Sequence, residues 1–265
     1  MTKIKIAMLP IDIRQADPAG NISQVKHLAG NLDKDTDIIC LPELFTTGFI
    51  KDREEALRLS EDNNGTTMTA LRQLSRNYGM AVTGSFMCRD KNTLRNRAFF
   101  INPDDPDGND TEYYDKHHLF VLSEEKRIFE AGNELPPVSD FRGWKIAITV
   151  CYDLRFPVWM RNTDNRYDMM IVPANWPDSR GYAWKSLLVA RAIENQAVYI
   201  GVNRTGNDDF GSYSPTLTTG VNELGMPVTE LSGSIIRYAV FSLDEINTLR
   251  RRFPVYLNSD RYKLI

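Results

Sequence analysis

The sequence predicts an α/β fold, because short apolar runs of strand character alternate with amphipathic stretches that are long enough for helices. Of the 265 residues, 42% are hydrophobic, so the chain can bury a substantial core. The pattern is clearest at 3–41, where a strand, a helix and a second buried strand follow one another. No short-period repeat, low-complexity tract or linker interrupts the chain, so residues 1–265 are expected to form one domain.

The first half of the chain supplies the predicted strands at 3–9, 37–41, 80–87, 95–101 and 111–115, and the helices at 18–34 and 66–78. The second of these helices places Met68, Leu71 and Leu74 on one face, and Gly79 follows as a C-terminal stop. The stretch 102–110 combines turn formers with acidic residues, which predicts an exposed connection between two strands.

The second half supplies strands at 145–150, 168–173, 198–203, 216–221 and 235–241, and helices at 153–162, 181–195 and 243–252. Asp153 and Pro157 are the start signals of the short helix. In the long helix, Trp184, Leu188 and Ala192 recur at helical spacing. This apolar stripe must be buried, which predicts a structural or subunit-interface role for the helix.

Charge and cysteine content exclude several classes of protein. The net charge is −3, with 32 basic and 35 acidic residues well mixed, so no basic surface for nucleic acid or an anionic membrane is expected. A small-molecule substrate and a cytoplasmic location are expected, since no apolar stretch is long enough for a signal peptide or a membrane span.

The scattered Cys40, Cys88 and Cys151 support neither a disulfide framework nor a zinc motif. No Gly-x-Gly-x-x-Gly follows the first strand, which disfavours an NAD-linked enzyme. We expect no metal and no cofactor.

Cys151 is the most informative residue, because it follows the apolar run 145–150 and precedes the sequence YDLRFP. Backbone N–H groups converge where a strand turns into a helix, and they favour a thiolate there. By itself this placement is more typical of an inert core cysteine.

Two other segments place ionisable groups at strand ends. Glu43 follows the buried strand 37–41 and a proline, and Lys116 follows a short aromatic strand. In α/β proteins, sites are assembled at strand ends. A thiol attacks a carbonyl or nitrile carbon, a carboxylate moves the protons, and an ammonium stabilises the oxyanion. The three groups together predict amide hydrolysis.

Arg155 has two open interpretations: a pair with a substrate carboxylate, or a structural ion pair with Asp153 or another nearby acid. Asn175 and Trp176 follow the strand 168–173 and are candidates for lining the site, and core packing is the alternative interpretation of Trp176.

His117 and His118 are neighbours on a segment predicted to be extended. Their side chains are therefore expected to point to opposite faces and not to share a metal ion. We expect them to be structural or to lie near the site.

Three blocks of the chain resemble the signature blocks of the nitrilase superfamily, the carbon-nitrogen hydrolases, in matching order. They are Leu41-Pro42-Glu43, the sequence YDKHHLF at 114–120 and the sequence CYDLRFP at 151–157. Further matches are ANWP at 174–177, ARAIENQA at 190–197 and GVNR at 201–204.

The resemblance implies a Glu-Lys-Cys triad. Glu43 is then the general base, Lys116 the oxyanion stabiliser and Cys151 the nucleophile, and the backbone N–H of Tyr152 completes the oxyanion hole.

Family members often carry a second glutamate after the lysine block. Glu125 is the best match, and the adjacent Glu124 leaves that assignment open by one residue.

The resemblance also implies a four-layer αββα sandwich, a single carbon-nitrogen hydrolase domain, and a homodimer or a higher homo-oligomer. The CYDLRFP and NWP runs are most similar to the omega-amidases, which hydrolyse the terminal amide of 2-oxoglutaramate and 2-oxosuccinamate. The alternatives are an N-carbamoyl amino acid hydrolase, a nitrilase, or a noncatalytic scaffold of the same fold. The chain departs from many relatives at 213–218, where it has YSPTLT in place of Gly-Asp-Ser or Gly-Ser before a strand.

Overall fold

The computed structural model describes residues 3–104, 111–231 and 235–263. The strands are β1 (Lys3–Met8), β2 (Ile38–Cys40), β3 (Ala81–Asp90), β4 (Thr93–Ile101), β5 (Glu112–Asp115), β6 (Val138–Phe141), β7 (Trp144–Ile148), β8 (Met169–Ala174), β9 (Val198–Asn203), β10 (Gly206–Asp208), β11 (Gly211–Tyr213), β12 (Thr219–Val221), β13 (Pro227–Val228), β14 (Glu230–Leu231) and β15 (Arg237–Ser242). The α-helices are α1 (Pro18–Ala29), α2 (Arg53–Leu59), α3 (Thr66–Tyr78), α4 (Glu125–Ile128), α5 (Gly181–Asn195) and α6 (Leu243–Arg252).

Most strands belong to two large sheets. The first has seven strands in the order β14-β15-β1-β2-β3-β4-β5, and the second has six in the order β13-β12-β9-β8-β7-β6. The pairs β1–β2 and β2–β3 are parallel in the first sheet, and the pairs β7–β8 and β8–β9 are parallel in the second. The carboxyl ends of the parallel strands in each sheet therefore lie at one edge.

The alternation of side chains along β1 shows how the first sheet is covered. Ile4, Ile6 and Met8 belong to the apolar core that also contains the strands of the second sheet. Ala7 and Leu9 belong to a separate core shared with α1 and α3. Because side chains alternate across a strand, one face of the sheet packs on the second sheet and the other on helices.

Helix α5 covers the outer face of the second sheet. Trp184 and Leu188 are fully buried on this helix and would contact any side chain placed at Gly201 of β9. The order of layers is thus helices, sheet, sheet, helix. The predicted α/β class and the αββα sandwich are confirmed.

Several predicted elements have different limits; the strand predicted at 80–87, for example, extends to Asp90. The helix predicted at 18–34 ends at Ala29, where Gly30 begins a turn in which Asn31 N–H bonds to the carbonyl three residues back. The helix predicted at 153–162 is a 3-10 helix at Cys151–Arg155. The strand predicted from 216 begins at 219, because Pro215–Leu217 form a 3-10 turn in which the Ser214 side chain accepts a hydrogen bond from Thr216 N–H.

Sequence patterns did not predict α2, α4, β6 or the hairpin β10–β11, in which each helix or strand is seven residues long or shorter. Such short elements carry little periodicity. Of the connection predicted at 102–110, the part at 105–110 lies outside the described residues.

The contact between α5 and β9 leaves no room for a larger residue at Gly201. A Cβ atom there would lie 2.6 Å from Leu188 Cδ1 and 2.6 Å from Trp184 Cζ2. We expect Gly201→Ala to lower the free energy of unfolding by about 1–3 kcal/mol through overpacking, measured by urea denaturation. Gly30→Ala is the matched control, since its nearest contact is Tyr78 Oη at 3.5 Å. Equal stability of Gly201→Ala and the wild type would contradict this packing.

Candidate active site

The three residues singled out by sequence motifs follow the carboxyl ends of strands from both sheets. Glu43 comes shortly after β2, Lys116 directly after β5 and Cys151 shortly after β7. All three line one cavity with an empty volume of about 650 Å³. Asn175, directly after β8, lines the same cavity, and its backbone N–H donates to Glu43 Oε2 at 2.9 Å. This bond joins the two sheets at the site.

Lys116 lies between two carboxylates at the base of the cavity. Its ammonium donates to Glu43 Oε1 at 2.8 Å and to Glu125 Oε1 at 2.7 Å. The three residues are only 2%, 3% and 6% exposed for Lys116, Glu43 and Glu125. The neighbouring Glu124 instead pairs with Arg127 at the surface. Glu125 is thus the glutamate that the fold brings to Lys116.

The backbone around Lys116 is held on both sides. Its N–H donates to the carbonyl of Asn96 at 3.0 Å, and its carbonyl accepts from Gly132 N–H at 3.0 Å. A Cβ atom at Gly132 would lie 2.2 Å from the carbonyl oxygen of Asp115. The close approach that fixes Lys116 therefore requires glycine at this position.

Burial and the charges of the cluster shift the pKa values of its members. Burial lowers the pKa of the Lys116 ammonium, but Glu125 and Glu43 outweigh it, and the pKa is held well above its ordinary value. Burial raises the pKa of Glu125, with Lys116 opposing the shift and Glu43 adding to it. Lys116 therefore stays charged, and Glu125 takes up a proton more readily than an exposed glutamate.

A buried polar chain that sequence patterns did not predict orients Glu43. The Asn96 side-chain amide donates to Glu43 Oε1 at 2.8 Å, and its own oxygen accepts from Ser85 Oγ at 2.9 Å. Ser85 Oγ in turn accepts from the backbone N–H of Leu44 at 2.9 Å. Ser85 lies on β3 and Asn96 on β4. Both strands have the sequence pattern of ordinary core strands, so nothing in the sequence indicated a role for these two residues.

Cys151 is the first residue of its 3-10 helix and has a φ of 45°. This left-handed conformation is uncommon for a residue with a side chain. Asp153, which is fully buried, holds the turn by accepting from Val150 N–H at 3.2 Å. It also accepts from Tyr114 Oη at 2.8 Å and from the backbone N–H of His118 at 2.8 Å. Asp153 therefore ties the cysteine turn to the lysine block.

The resting thiol of Cys151 differs from the expectation of a favoured thiolate. Burial raises its pKa well above the ordinary value, the charge of Glu43 raises it further, and Lys116 and the backbone N–H of Asn175 oppose the shift. Desolvation outweighs the turn because the residue is only 8% exposed. The sulfur thus carries its proton at neutral pH, and attack requires a base.

The prediction that His117 and His118 point to opposite faces is wrong, because this segment bends. Their ring centroids are 4.5 Å apart at nearly a right angle. His117 stacks on Trp159 at 3.6 Å, and His118 stacks on Phe156 at 3.6 Å and contacts Asp153 through Nδ1. Both rings are packing elements. Among the described residues, no group of three or more His, Cys, Asp or Glu side chains could hold a metal ion.

Arg155 lines the cavity and has no carboxylate within ion-pair distance in the described part of the chain. The alternative pair with Asp153 is absent, because Asp153 is taken by the bonds described above. The Arg155 guanidinium lies over the ring of Trp176, 4.8 Å from its centroid. Trp176 is buried and lines the cavity as well as packing against Trp184 at 5.1 Å. Tyr152 also lines the cavity.

One wall of the cavity comes from the hairpin β10–β11, which sequence patterns missed. Asp208, Phe210 and Tyr213 line the cavity from this hairpin. Tyr213 Oη donates to Asp208 at 2.9 Å, and the buried Arg204 donates to Asp208 at 2.8 Å. The departure noted at 213–218 thus begins in a residue of the cavity wall.

The chain belongs to the carbon-nitrogen hydrolase family, whose sequence pattern matches residues 5–226. The predicted resemblance is confirmed. The chain is 34% identical to omega-amidase YafV of Escherichia coli K12, with 100% of both chains covered. It is 33% identical to the 2-oxoglutaramate amidase of Bacillus subtilis 168, with 96% of both covered.

Among solved structures, the chain is similar to XC1258 from Xanthomonas campestris, a CN-hydrolase superfamily protein crystallised with an arsenic adduct in its active site. The TM-score is 0.90 at 35% identity, with 100% of both chains covered. None of the helices at 3–104, 111–231 and 235–263 is long and apolar enough to cross a membrane.

Removing the buried ammonium should destabilise the fold. We expect Lys116→Met to lower the free energy of unfolding by about 3–5 kcal/mol at neutral pH, because Glu43 and Glu125 lose their shared cation. This loss of unfolding free energy should shrink towards about pH 5, since protonation of the buried carboxylates removes the negative charge that Lys116 no longer compensates. Urea denaturation at both pH values measures it, with the exposed Lys126→Met as the control. A double variant Lys116→Met/Glu125→Gln that is no more stable than the single variant would contradict this account.

The state of the thiol can be measured by alkylation. We expect the rate at which iodoacetamide labels Cys151 to keep rising above about pH 9, because the thiol pKa is raised. Glu43→Gln should shift the inflection of the rate–pH curve to lower pH, since a negative charge beside the thiol is lost. Glu124→Gln is the control and should leave the inflection unchanged.

Cys40 and Cys88 provide internal references for this labelling. Both are fully buried, and burial raises the pKa of Cys88 to about 12. They should react more slowly than Cys151. A wild-type rate for Cys151 that levels off near neutral pH would show that the resting sulfur is already a thiolate.

Proposed function

We propose that this protein is an omega-amidase that hydrolyses the terminal amide of 2-oxo dicarboxylate monoamides, such as 2-oxoglutaramate and 2-oxosuccinamate, to the oxo acid and ammonia. The observation that carries the proposal is the shared cavity of a thiol, a Glu-Lys-Glu cluster and an arginine that has no carboxylate partner among the described residues. The relatives named omega-amidase and 2-oxoglutaramate amidase support the same activity.

In the first step, Cys151 Sγ bonds to the amide carbon while Glu43 accepts the thiol proton. The Lys116 ammonium and the backbone N–H of Tyr152 donate to the oxyanion that forms. The Tyr152 N–H suits this role because it lies in the first turn of a helix, where amides lack intrahelical acceptors. When the carbon-nitrogen bond breaks, Glu43 returns the proton to the nitrogen, and ammonia leaves.

In the second step, Glu43 takes a proton from water as the water oxygen attacks the thioester carbon. The carbon-sulfur bond breaks, the oxo acid leaves, and the proton returns to Cys151. Glu125 keeps the Lys116 ammonium in place by accepting its hydrogen bond. It acts as a positioning residue in this scheme.

The substrate carboxylate pairs with Arg155, whose planar fork matches its two oxygens. The Arg155 guanidinium lies over the ring of Trp176, and Asn175 lines the cavity. A 2-oxo dicarboxylate monoamide has both groups that this site requires, an amide at one end and a carboxylate at the other.

We further propose that the chain forms one domain over residues 1–265, assembles into a homodimer or a larger homo-oligomer, and acts in the cytoplasm. The full-length coverage of its relatives supports the single domain. The near-neutral charge and mixed surface support a role away from nucleic acid and membranes.

Ammonia release from three substrates tests the activity. We expect 2-oxoglutaramate to be hydrolysed with a kcat/KM at least about a hundredfold above that of an N-carbamoyl amino acid or an aliphatic nitrile, because the nitrile has no carboxylate, and the carbamoyl compound has a ureido group in place of the amide and no 2-oxo oxygen beside its carboxylate. Mass spectrometry of the quenched enzyme should detect a thioester on Cys151.

Lys116→Ala should lower kcat roughly a hundredfold or more through loss of an oxyanion donor.

The matched control is Lys126→Ala, which removes an exposed lysine outside the cavity and should leave kcat unchanged. Preference for the carbamoyl compound or the nitrile would assign the protein to another branch of the family. A wild-type enzyme inert towards all three substrates would favour a noncatalytic scaffold.

A further inference from the structure

The acidic side chains of the cavity are all paired with basic partners. Glu43 and Glu125 share the ammonium of Lys116. Asp208 is held by Arg204 at 2.8 Å. Each of these carboxylates already contacts another cation, and none lies within ion-pair distance of Arg155 or Arg180.

Two arginines in the same cavity have no such partner. In the described part of the chain, neither Arg155 nor Arg180 has a carboxylate within ion-pair distance, and neither guanidinium donates a hydrogen bond to the protein. Each guanidinium carries five N–H donors. The half-buried Arg155 and the exposed Arg180 thus present positive charge and free donors to the cavity, and an anion is the ligand that such a wall attracts.

Aromatic rings hold both guanidinium groups in position. Arg180 ends the 3-10 turn before α5, and its guanidinium carbon lies 5.2 Å from the ring centroid of Phe120. Its carbonyl accepts from the indole N–H of Trp176 at 2.9 Å, and that same indole ring supports Arg155. Phe120 is in turn held edge-on by Tyr152, with centroids 5.1 Å apart.

This arrangement orients the cations without using their donors. A guanidinium lying over a ring face is attracted by the ring quadrupole, while its N–H edges stay free. An acid partner would occupy those edges. Two forks with free donors match a ligand that offers several coplanar oxygens.

We propose that Arg180 is a specificity-determining residue, which binds the carboxylate end of the substrate together with Arg155. A 2-oxo acid offers three oxygen atoms there, two on the carboxylate and one on the adjacent oxo group. One planar fork engages two of them, and the second guanidinium engages the remaining lone pairs. A neutral amide leaves both cations unpaired. This inference rests on the proposed omega-amidase function and adds a residue that no sequence motif indicated.

Steady-state kinetics of Arg180→Gln test the inference. We expect KM for 2-oxoglutaramate to rise about tenfold, corresponding to one charge-assisted contact, with kcat changed by less than about twofold. Hydrolysis of butyramide, which has no carboxylate, should be unaffected at this site. Arg180→Lys should recover only part of the KM, because lysine keeps the charge and loses the fork.

The control is Arg251→Gln, which removes the same charge from the exposed face of α6. It should leave KM for 2-oxoglutaramate unchanged. An unchanged KM in Arg180→Gln, an equal rise in KM for butyramide, or full recovery in Arg180→Lys would overturn the inference.

Binding without turnover separates this inference from the proposed function. In a Cys151→Ala background, titration calorimetry should show that Arg180→Gln weakens binding of 2-oxoglutarate, the expected product, about tenfold. A wild-type enzyme that releases no ammonia from 2-oxoglutaramate refutes the proposed function. Unchanged binding of 2-oxoglutarate in the Arg180→Gln background refutes the role of Arg180, whatever the enzyme hydrolyses.

Discussion

The site depends on one buried interaction, the ammonium of Lys116 held between Glu43 and Glu125. Burying two ionised carboxylates side by side without a cation is costly, and so is burying an ammonium without anions. Each member therefore makes the burial of the others possible. The cluster also lies across the two sheets, because Glu43 accepts from the backbone N–H that follows β8. Charge balance and sheet packing are consequently coupled at this edge.

The cysteine turn depends on a second buried carboxylate, which has a different role. Asp153 accepts hydrogen bonds from the strand that precedes Cys151 and from the segment that carries Lys116. It holds the turn in which Cys151 adopts a left-handed conformation, and it does not itself line the cavity. A proton-carrying thiol is thereby kept beside a base and a cation, which suits a sulfur activated only during attack.

Aromatic rings lie against the arginine side chains of the cavity. They support arginines whose donors stay free, whereas the buried acids are fully engaged. The cavity therefore has two chemically different ends. The Glu-Lys-Glu cluster and the thiol form the reacting end, and Arg155 and Arg180 form a cationic end. In our proposal the first recognises the amide and the second the carboxylate, so that the substrate class follows from the presence of both ends in one cavity.

The sequence by itself determined the alternation of strands and helices, and it predicted Glu43, Lys116 and Cys151 as site residues, because each stands at a strand end in a distinctive local motif. Motif resemblance supplied the αββα class. Only the tertiary structure decided which glutamate reaches Lys116 and brought Arg180 and the β10–β11 hairpin to the cavity. It also placed Arg155 beyond ion-pair distance of every carboxylate in the described segments. These outcomes depend on side chains from distant segments that meet in space, and local periodicity contains no information on such meetings.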